Sequence, residues 1–206
     1  MMRVFLLSLF SFLFAGLSYS QNIDSVILDM PENIIPALSV DNRTMLLVDS
    51  TSRVIPTVFG EIEKVTYRDD FMKVKTSNVG TTQIKTLETQ NDDYIVCVIK
   101  TVCASACDSD IKFYDSEWEE IDKSTLLPSM TVESFVTFKD NQNHQDIYKN
   151  LLPDICLIDA QFDNVGNIIF KLDVRNYLSG EDLEKFNQTF ELKDLTLKWD
   201  SVSFKE

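Results

Sequence analysis

Histidine and glycine are both scarce in this sequence, which has one histidine and five glycines among its 206 residues. A serine or cysteine nucleophile would have to recruit His144 as its base, and no Gly-x-Ser-x-Gly elbow presents a serine. Zinc takes about four nitrogen or sulfur ligands, so one histidine is a poor start for a zinc site. Few glycines leave little room for a glycine-rich phosphate loop. The sequence therefore predicts no catalytic, metal or cofactor-binding residues.

Basic residues are also few: 19 Lys and Arg stand against 33 Asp and Glu, and the net charge is −14 at pH 7. Binding to nucleic acid needs clustered lysine and arginine, so the composition argues against a nucleic-acid partner. The same balance argues against an anionic membrane surface. A cationic partner or divalent cations remain alternatives, although most acidic surfaces serve solubility.

Only the N-terminus carries a long apolar run, at residues 4–17. Arg3 precedes the run, and the small residues Ser18 and Ser20 place a cleavage site before Gln21, which is the pattern of a Sec signal peptide. The run is shorter than the roughly 20 residues of a membrane span, so a retained anchor is the weaker alternative. No cysteine follows it to carry a lipid. We therefore expect a signal peptide over 1–20 and a periplasmic or secreted mature chain without a transmembrane segment.

The first part of the mature chain, residues 23–59, has apolar clusters at helical spacing that Pro31 and Pro36 interrupt. Asp41 is predicted to cap a second helix in this region. From Glu61 the apolar period changes to two, which is typical of strands. Five runs bounded by polar turns predict an antiparallel meander: 63–70, 71–77, 81–89, 93–103 and 110–115.

Within the meander, lysines at 73, 75 and 85 alternate with apolar residues, as on strands with one solvated face. Residues 94–102 are apolar on both faces apart from Lys100, so this strand should be the most buried.

After a loose section at 116–150, a second β section begins. Two apolar runs, 155–163 and 167–174, flank a turn where Gly166 is suited to a positive φ. Ser179 and Asp182 approximate a capping box for a short helix, and 194–201 alternates as a final strand. The fold class is α+β: N-terminal helices, an antiparallel meander of about five strands, then a β-β-α-β section. Residues 21–206 form one domain in this prediction, with 21–127 and 128–206 as two possible lobes.

The cysteines are Cys97, Cys103, Cys107 and Cys156. Cys103 and Cys107 face each other across a predicted strand turn, where a tight hairpin brings Cα atoms within bridging distance. A local disulfide is therefore the candidate pairing. Thiol redox chemistry is the alternative, but a reactive thiol needs an electropositive setting, and two aspartates follow Cys107. Cys97 and Cys156 lie in apolar strand sequence as buried small hydrophobes or as a long-range bridge.

Acidic doublets stand at the ends of three predicted strands: Asp69–Asp70, Asp92–Asp93 and Glu119–Glu120. Two such carboxylates could form the acid and base of a glycoside hydrolase. Turn chemistry explains them more simply, because aspartate hydrogen-bonds its own backbone in turns.

Three stretches carry a resemblance to a known family: MPENIIPALSVDNR (30–43), KTVCASACDSDIKFYDSEW (100–118) and the closing EDLEKF and LTLKW. They resemble an uncharacterised domain-of-unknown-function family of exported proteins from Bacteroides-type bacteria. The resemblance covers nearly all of the mature chain, and the cysteine hairpin followed by an aromatic strand and a tryptophan is its most specific part. It implies export and no established activity.

Two functional hypotheses follow. The first is a non-enzymatic periplasmic or secreted module that binds a protein or a small ligand through its sheet or helix face. The alternative is a hydrolase of envelope glycans or peptides that uses acidic residues, which requires paired carboxyl groups in a concave, aromatic-lined cleft.

Overall fold

The computed structural model describes residues 22–48, 54–58, 60–139, 156–174 and 178–206. The predicted signal peptide, His144 and nearly all of the polar loop 139–146 lie outside the described residues.

Three α-helices occur in the described part of the chain: α1 (Ile23–Asp29), α2 (Val40–Leu47) and α3 (Gly180–Thr189). Two short 3-10 helices cover Lys123–Thr125 and Val132–Phe135. Ser179 caps α3 as predicted, since its side chain accepts from Asp182 N. The prediction of Asp41 as the cap of α2 is wrong, because Ser39 holds that position and accepts from Asn42 N.

Seven antiparallel strands form sheet A, in which each strand pairs with the next along the chain. The strands are β1 (Val54–Thr57), β2 (Gly60–Arg68), β3 (Phe71–Lys75), β4 (Gly80–Glu88), β5 (Tyr94–Cys103), β6 (Cys107–Tyr114) and β7 (Glu120–Ile121). The predicted meander of five strands corresponds to β2–β6.

The two outer strands of sheet A differ from the sequence prediction. Residues 54–57, assigned above to a helical region, form β1, where Ile55 is buried and pairs with Ile62. Pro56 is compatible with this place because β1 is an edge strand and an edge tolerates a missing N–H. At the other edge, β7 has two residues, too few to give a periodic signal.

Sheet B lies against one face of sheet A and has the order β13-β12-β10-β9. Its strands are β9 (Ile158–Phe162), β10 (Ile168–Leu172), β12 (Leu195–Trp199) and β13 (Phe204–Lys205), and the short strands β8 (Val136–Phe138) and β11 (Phe190–Leu192) pair separately. The predicted β-β-α-β section is β9, β10, α3 and β12, with β11 and β13 in addition. Gly166 has φ of 93° in the turn before β10, as its position in the turn required.

Sheet A separates two hydrophobic cores, so the fold is a layered α+β structure. On one face, α1, the turns after it and α2 cover a core that includes Ile27, Leu46 and Val98. On the other, sheet B and α3 cover a core that includes Phe113, Phe170 and Phe186. Because both faces are covered, β4 is buried from Thr82 to Leu87. The prediction that Lys85 faces solvent is therefore wrong: it is 7% exposed. Val102, predicted to be buried, is 56% exposed.

Two buried cations hold the helical layer in place: Arg43 joins α2 to the end of α1, and Lys64 joins α2 to sheet A. Arg43 on α2 donates to the carbonyls of Leu28 and Met30 at the end of α1, and also to Leu38 O at 3.4 Å. Lys64 on β2 donates to Leu46 O in the last turn of α2. A helix C-terminus leaves carbonyls without intrahelical partners and carries partial negative charge. Both cations therefore satisfy groups that burial would otherwise leave costly.

Tyr67 on β2 also holds α1, because its hydroxyl donates to Asp24 Oδ1. Burial, the hydrogen bond to Asp24 and the nearby carboxylates raise the pKa of Tyr67 to about 12, from an ordinary value of 10.0. The folded state thus favours the protonated phenol. The contribution of Tyr67 to stability is complete below pH 10 and is lost as the pH rises from 10 towards 12.

We expect Tyr67→Phe to lower the free energy of unfolding by about 1 kcal/mol near neutral pH, the value of one hydrogen bond. Between pH 10 and pH 12, the stability of the variant should also fall less than that of the unsubstituted protein, because the variant has no phenol at this position. Urea unfolding at neutral and alkaline pH measures both effects, and absorbance at alkaline pH shows whether one late-titrating tyrosine is missing. Equal pH dependence in the two proteins would contradict the assignment.

Candidate functional site

The turns of sheet A collect at two opposite ends, because alternate turns of a meander lie at the same end. One end carries the β2–β3, β4–β5 and β6–β7 turns, and the three acidic doublets of the sequence lie at that end. The other end carries the β1–β2, β3–β4 and β5–β6 turns. Sequence reasoning found the doublets but not that they share one end of the sheet, which depends on the strand order.

At the acidic end the carboxylates are used by the turns. Asp115 Oδ1 accepts from the amides of Glu117 and Glu119, both at 2.9 Å. Asp93 Oδ1 accepts from Tyr94 N at 2.8 Å, and Asp70 pairs with Lys85. Asp93 and Asp115 therefore accept hydrogen bonds from their own turns, whereas Asp70 and Glu120 pair with Lys85 and Lys112.

Aromatic rings border this end. The rings of Tyr114 and Trp118 lie 5.4 Å apart, and Trp118 has φ of 65°, a backbone conformation rare for a bulky residue. Burial, then the carboxylates of Asp93, Asp29 and Asp115, raise the pKa of Tyr94. Aromatic rings and carboxylates therefore do lie together, as the hydrolase hypothesis requires.

Four carboxyl groups outside the acidic turns have lowered pKa values, which does not suit a general acid. A general acid needs a raised pKa. Hydrogen bonds from Ser124 lower the pKa of Asp122, and hydrogen bonds from Thr131 and its own backbone lower that of Glu133. Lys205 lowers the pKa of Asp200 to about 2, and hydrogen bonds from Asn167 and the turn amides lower that of Asp163 despite partial burial. Among the described residues, no group of three or more His, Cys, Asp or Glu side chains is arranged to hold a metal ion.

Cys103 and Cys107 form a disulfide at the β5–β6 hairpin, with a Cα–Cα distance of 4.0 Å. Cys97 and Cys156 are free, so the alternative of a bridge between them does not hold. Burial raises the pKa of the Cys97 thiol. Burial, with Glu133 and Asp108, raises that of Cys156. A redox-active thiol requires a lowered pKa, so neither free cysteine fits that role.

A groove runs along the outer edge of β6, where β7 ends after two residues. β7 pairs only with Phe113 and Tyr114, and β9 approaches β6 at Asp108, whose Oδ1 accepts from Ile158 N at 3.3 Å. Between these contacts lies a groove of about 510 Å³, lined by Asp110, Ile111, Lys112 and residues 120–123. Its volume is within the range of ligand-binding pockets.

Backbone groups of β6 point into this groove. In an antiparallel pair, residues with closely spaced Cα atoms do not exchange hydrogen bonds. The Cα atoms of Cys103 and Cys107 lie 4.0 Å apart, so this pair exchanges no backbone hydrogen bonds. Because bonded and non-bonded pairs alternate along antiparallel strands, Thr101–Ser109 and Ile99–Ile111 exchange none either. The N–H and C=O of Ile111 therefore face the outer edge, where no described strand pairs with that residue.

The side chains of the groove are mixed in charge. Lys112 Nζ lies 2.8 Å from Glu120 Oε2, and Asp122 Oδ1 caps the following 3-10 helix. Ile111 is buried and Ile121 half-buried, so they give the groove an apolar floor. Sequence reasoning missed this site. The groove exists because β7 ends after two residues, and no residue pattern predicts where so short a strand ends.

Comparisons with known proteins agree with the fold. A domain of an uncharacterized protein from Porphyromonas gingivalis W83 has a similar structure, with a TM-score of 0.76 and 21% sequence identity, over 89% of this chain and 96% of that chain. No curated protein matches the sequence. No helix among the described residues is long and apolar enough to cross a membrane.

The model of one family, described as a protein of unknown function, matches residues 16–204. The match covers almost the whole chain, in agreement with the resemblance to a domain of unknown function. The protein therefore belongs to the DUF3256 family.

Proposed function

We propose that the protein is a non-enzymatic binding module that holds an extended polypeptide segment of a partner in the groove beside β6. The observation that carries the proposal is the outer edge of β6, which has outward-facing backbone groups at Ile111 and a groove in front of them. An exposed sheet edge binds extended peptides by adding a strand, with main-chain hydrogen bonds for affinity and side-chain pockets for specificity.

The acid–base hydrolase is the weaker candidate. Its support is the convergence of aromatic rings and carboxylates near Tyr94 and Trp118. Against it, Asp93 and Asp115 accept hydrogen bonds from the backbone of their own turns.

We place this binding outside the cytoplasm. The support is the signal-peptide pattern of residues 1–20 and the Cys103–Cys107 disulfide, since disulfides persist in oxidising compartments such as the periplasm.

A library of random short peptides displayed on phage provides the probe, because the natural partner is unidentified. We expect selection against the purified protein to yield peptides that bind at micromolar Kd. N-methylation of such a peptide at alternate residues should weaken binding about tenfold in one register and little in the other, since only alternate amides bond to a strand edge. Fluorescence anisotropy measures each Kd.

Two protein variants complete the test. Ile121→Asp changes the groove floor and should weaken the selected peptides about tenfold. Val165→Asp adds the same charge in the β9–β10 turn, where Val165 is 82% exposed, and should leave binding unchanged. Failure to select any peptide, insensitivity to N-methylation at every position, or equal effects of the two variants would contradict the proposal.

A further inference from the structure

We propose that the segment held beside β6 is basic: it runs antiparallel to β6, with an apolar residue opposite Ile111 and a lysine or arginine opposite Asp110. This inference rests on the proposed function and adds the chemistry of the partner. In an antiparallel strand, the residue opposite Asp110 follows the residue opposite Ile111 in the partner's chain. The partner's motif is therefore an apolar residue followed by a basic one.

The direction of the segment follows from how short the free edge is. Farther along β6, Phe113 and Tyr114 already pair with β7. In an antiparallel bonded pair, one partner residue takes both the N–H and the C=O of Ile111, whereas the slanted bonds of a parallel pair go to two different residues. An antiparallel segment therefore makes full use of a short edge, and it continues the antiparallel order of sheet A.

The two faces of the segment meet different surroundings, because side chains alternate along a strand. Ile111 belongs to the core beneath sheet B, whereas Val98, which stands opposite Lys112, belongs to the core beneath the helices. Asp110 and Lys112 therefore lie on the helical side of sheet A. A partner residue opposite Ile111 shares a face with Ile111 and Ile121, which suits an apolar side chain.

On the helical side, the charges of β6 stand next to opposite charges on neighbouring strands. Lys112 Nζ lies 2.8 Å from Glu120 Oε2. Asp110 has Lys100 of β5 opposite it on the inner side, and it forms no ion pair with any residue that the structure describes. Its outer side borders the groove. A cation on the partner strand continues this alternation, because opposite charges on adjacent strands stabilise a sheet and like charges destabilise it.

The groove as a whole also favours a cation over an anion. Its lining has three carboxylates and two ammonium groups: Asp110, Glu120 and Asp122 against Lys112 and Lys123. The ion pair with Glu120 already neutralises Lys112. The chain also has a net charge of −14, and such a field attracts basic segments and repels acidic ones. Charge complementarity therefore selects a basic peptide.

Parallel phage selections test this motif. With the unsubstituted protein, selected peptides should contain apolar–basic dipeptides at least about three times as often as basic–apolar ones, since the reverse order places the cation beside Lys112. Selection against Asp110→Lys should replace the basic residue of the motif with Asp or Glu. Glu184→Lys makes the same change of charge at an exposed position of α3 and should leave the motif basic.

The affinity of one selected peptide tests the contact with Asp110 itself. Replacing the basic residue of the peptide with glutamine should raise the Kd about threefold for the unsubstituted protein, and should change it little for Asp110→Asn. Such coupling indicates a direct pair. The matched control Glu184→Gln should keep the threefold effect. Asp110 and Glu184 are both exposed, and a thermal melt checks that each variant folds.

Failure of this inference differs from failure of the proposed function. Suppose that N-methylation of the apolar residue weakens binding, but the peptides show no preference for a following basic residue, or Asp110→Lys acts like Glu184→Lys. Either result would overturn the inference and leave the groove as a peptide site. Binding that ignores N-methylation at every position would overturn the proposed function, and the inference with it.

Discussion

Replacing Arg43 with methionine is expected to lower the free energy of unfolding by about 4 kcal/mol. The residue is 2% exposed and donates to three backbone carbonyls, those of Leu28, Met30 and Leu38. Methionine keeps much of the volume but donates nothing, and each buried carbonyl left without a donor costs about 1–3 kcal/mol. Urea unfolding followed by circular dichroism measures the change.

Two further variants separate hydrogen bonding from charge. Arg43→Lys keeps the cation but not the planar fork, and we expect about half the loss. Arg68→Met removes a partly exposed cation that lies 3.8 Å from Asp70, and should cost less than about 1 kcal/mol. If Arg43→Met costs no more than Arg68→Met, Arg43 does not hold α2 to the end of α1 as described.

Replacing Gln83 with alanine is expected to lower the free energy of unfolding by about 3 kcal/mol. This buried side chain joins sheet A to sheet B: Nε2 donates to Ala160 O at 3.2 Å, and Oε1 accepts from Phe162 N at 3.1 Å. Both are backbone groups of β9 in the interior, so the substitution leaves a donor and an acceptor unpaired. Urea unfolding again gives the value, and the amides of β9 should exchange faster with solvent.

Gln161→Ala is the matched control on β9. Its side chain is exposed, and its removal should change stability by less than about 0.5 kcal/mol. Equal losses in the two variants would show that Gln83 does not join the sheets in the way its contacts indicate.

Two buried residues of β4, Gln83 and Lys85, show how far the sequence could predict the fold. Period-two alternation identified β2, β3, β4 and β6, and a continuous apolar run between polar turns identified β5, because each of these strands has five residues or more. Alternation says which residues share a face, but not what covers that face. Gln83 and Lys85 occupy positions typical of a solvated face, and they are buried because β9 and the turn at Gly166 lie over them: a β-carbon on Gly166 would lie 2.9 Å from Lys85 Cε. That contact joins residues 81 positions apart.

The candidate site was less predictable than the fold. The cysteine spacing predicted the Cys103–Cys107 pairing, since a disulfide across a hairpin is a local geometric matter. The groove depends on where β7 stops, and two-residue strands carry no periodic signal. The acidic end depends on strand order, which places turns distant in sequence at the same end of the sheet.

Amide hydrogen exchange at Ile111 is the decisive test of whether the outer edge of β6 binds an extended peptide. In the free protein this N–H faces the groove and should exchange quickly, whereas that of Lys112, on the side paired with Val98, should exchange slowly. A saturating concentration of a selected peptide should slow exchange at Ile111 at least about tenfold and leave Val165 unchanged. Unchanged exchange at Ile111, with protection at another surface, would contradict the claim.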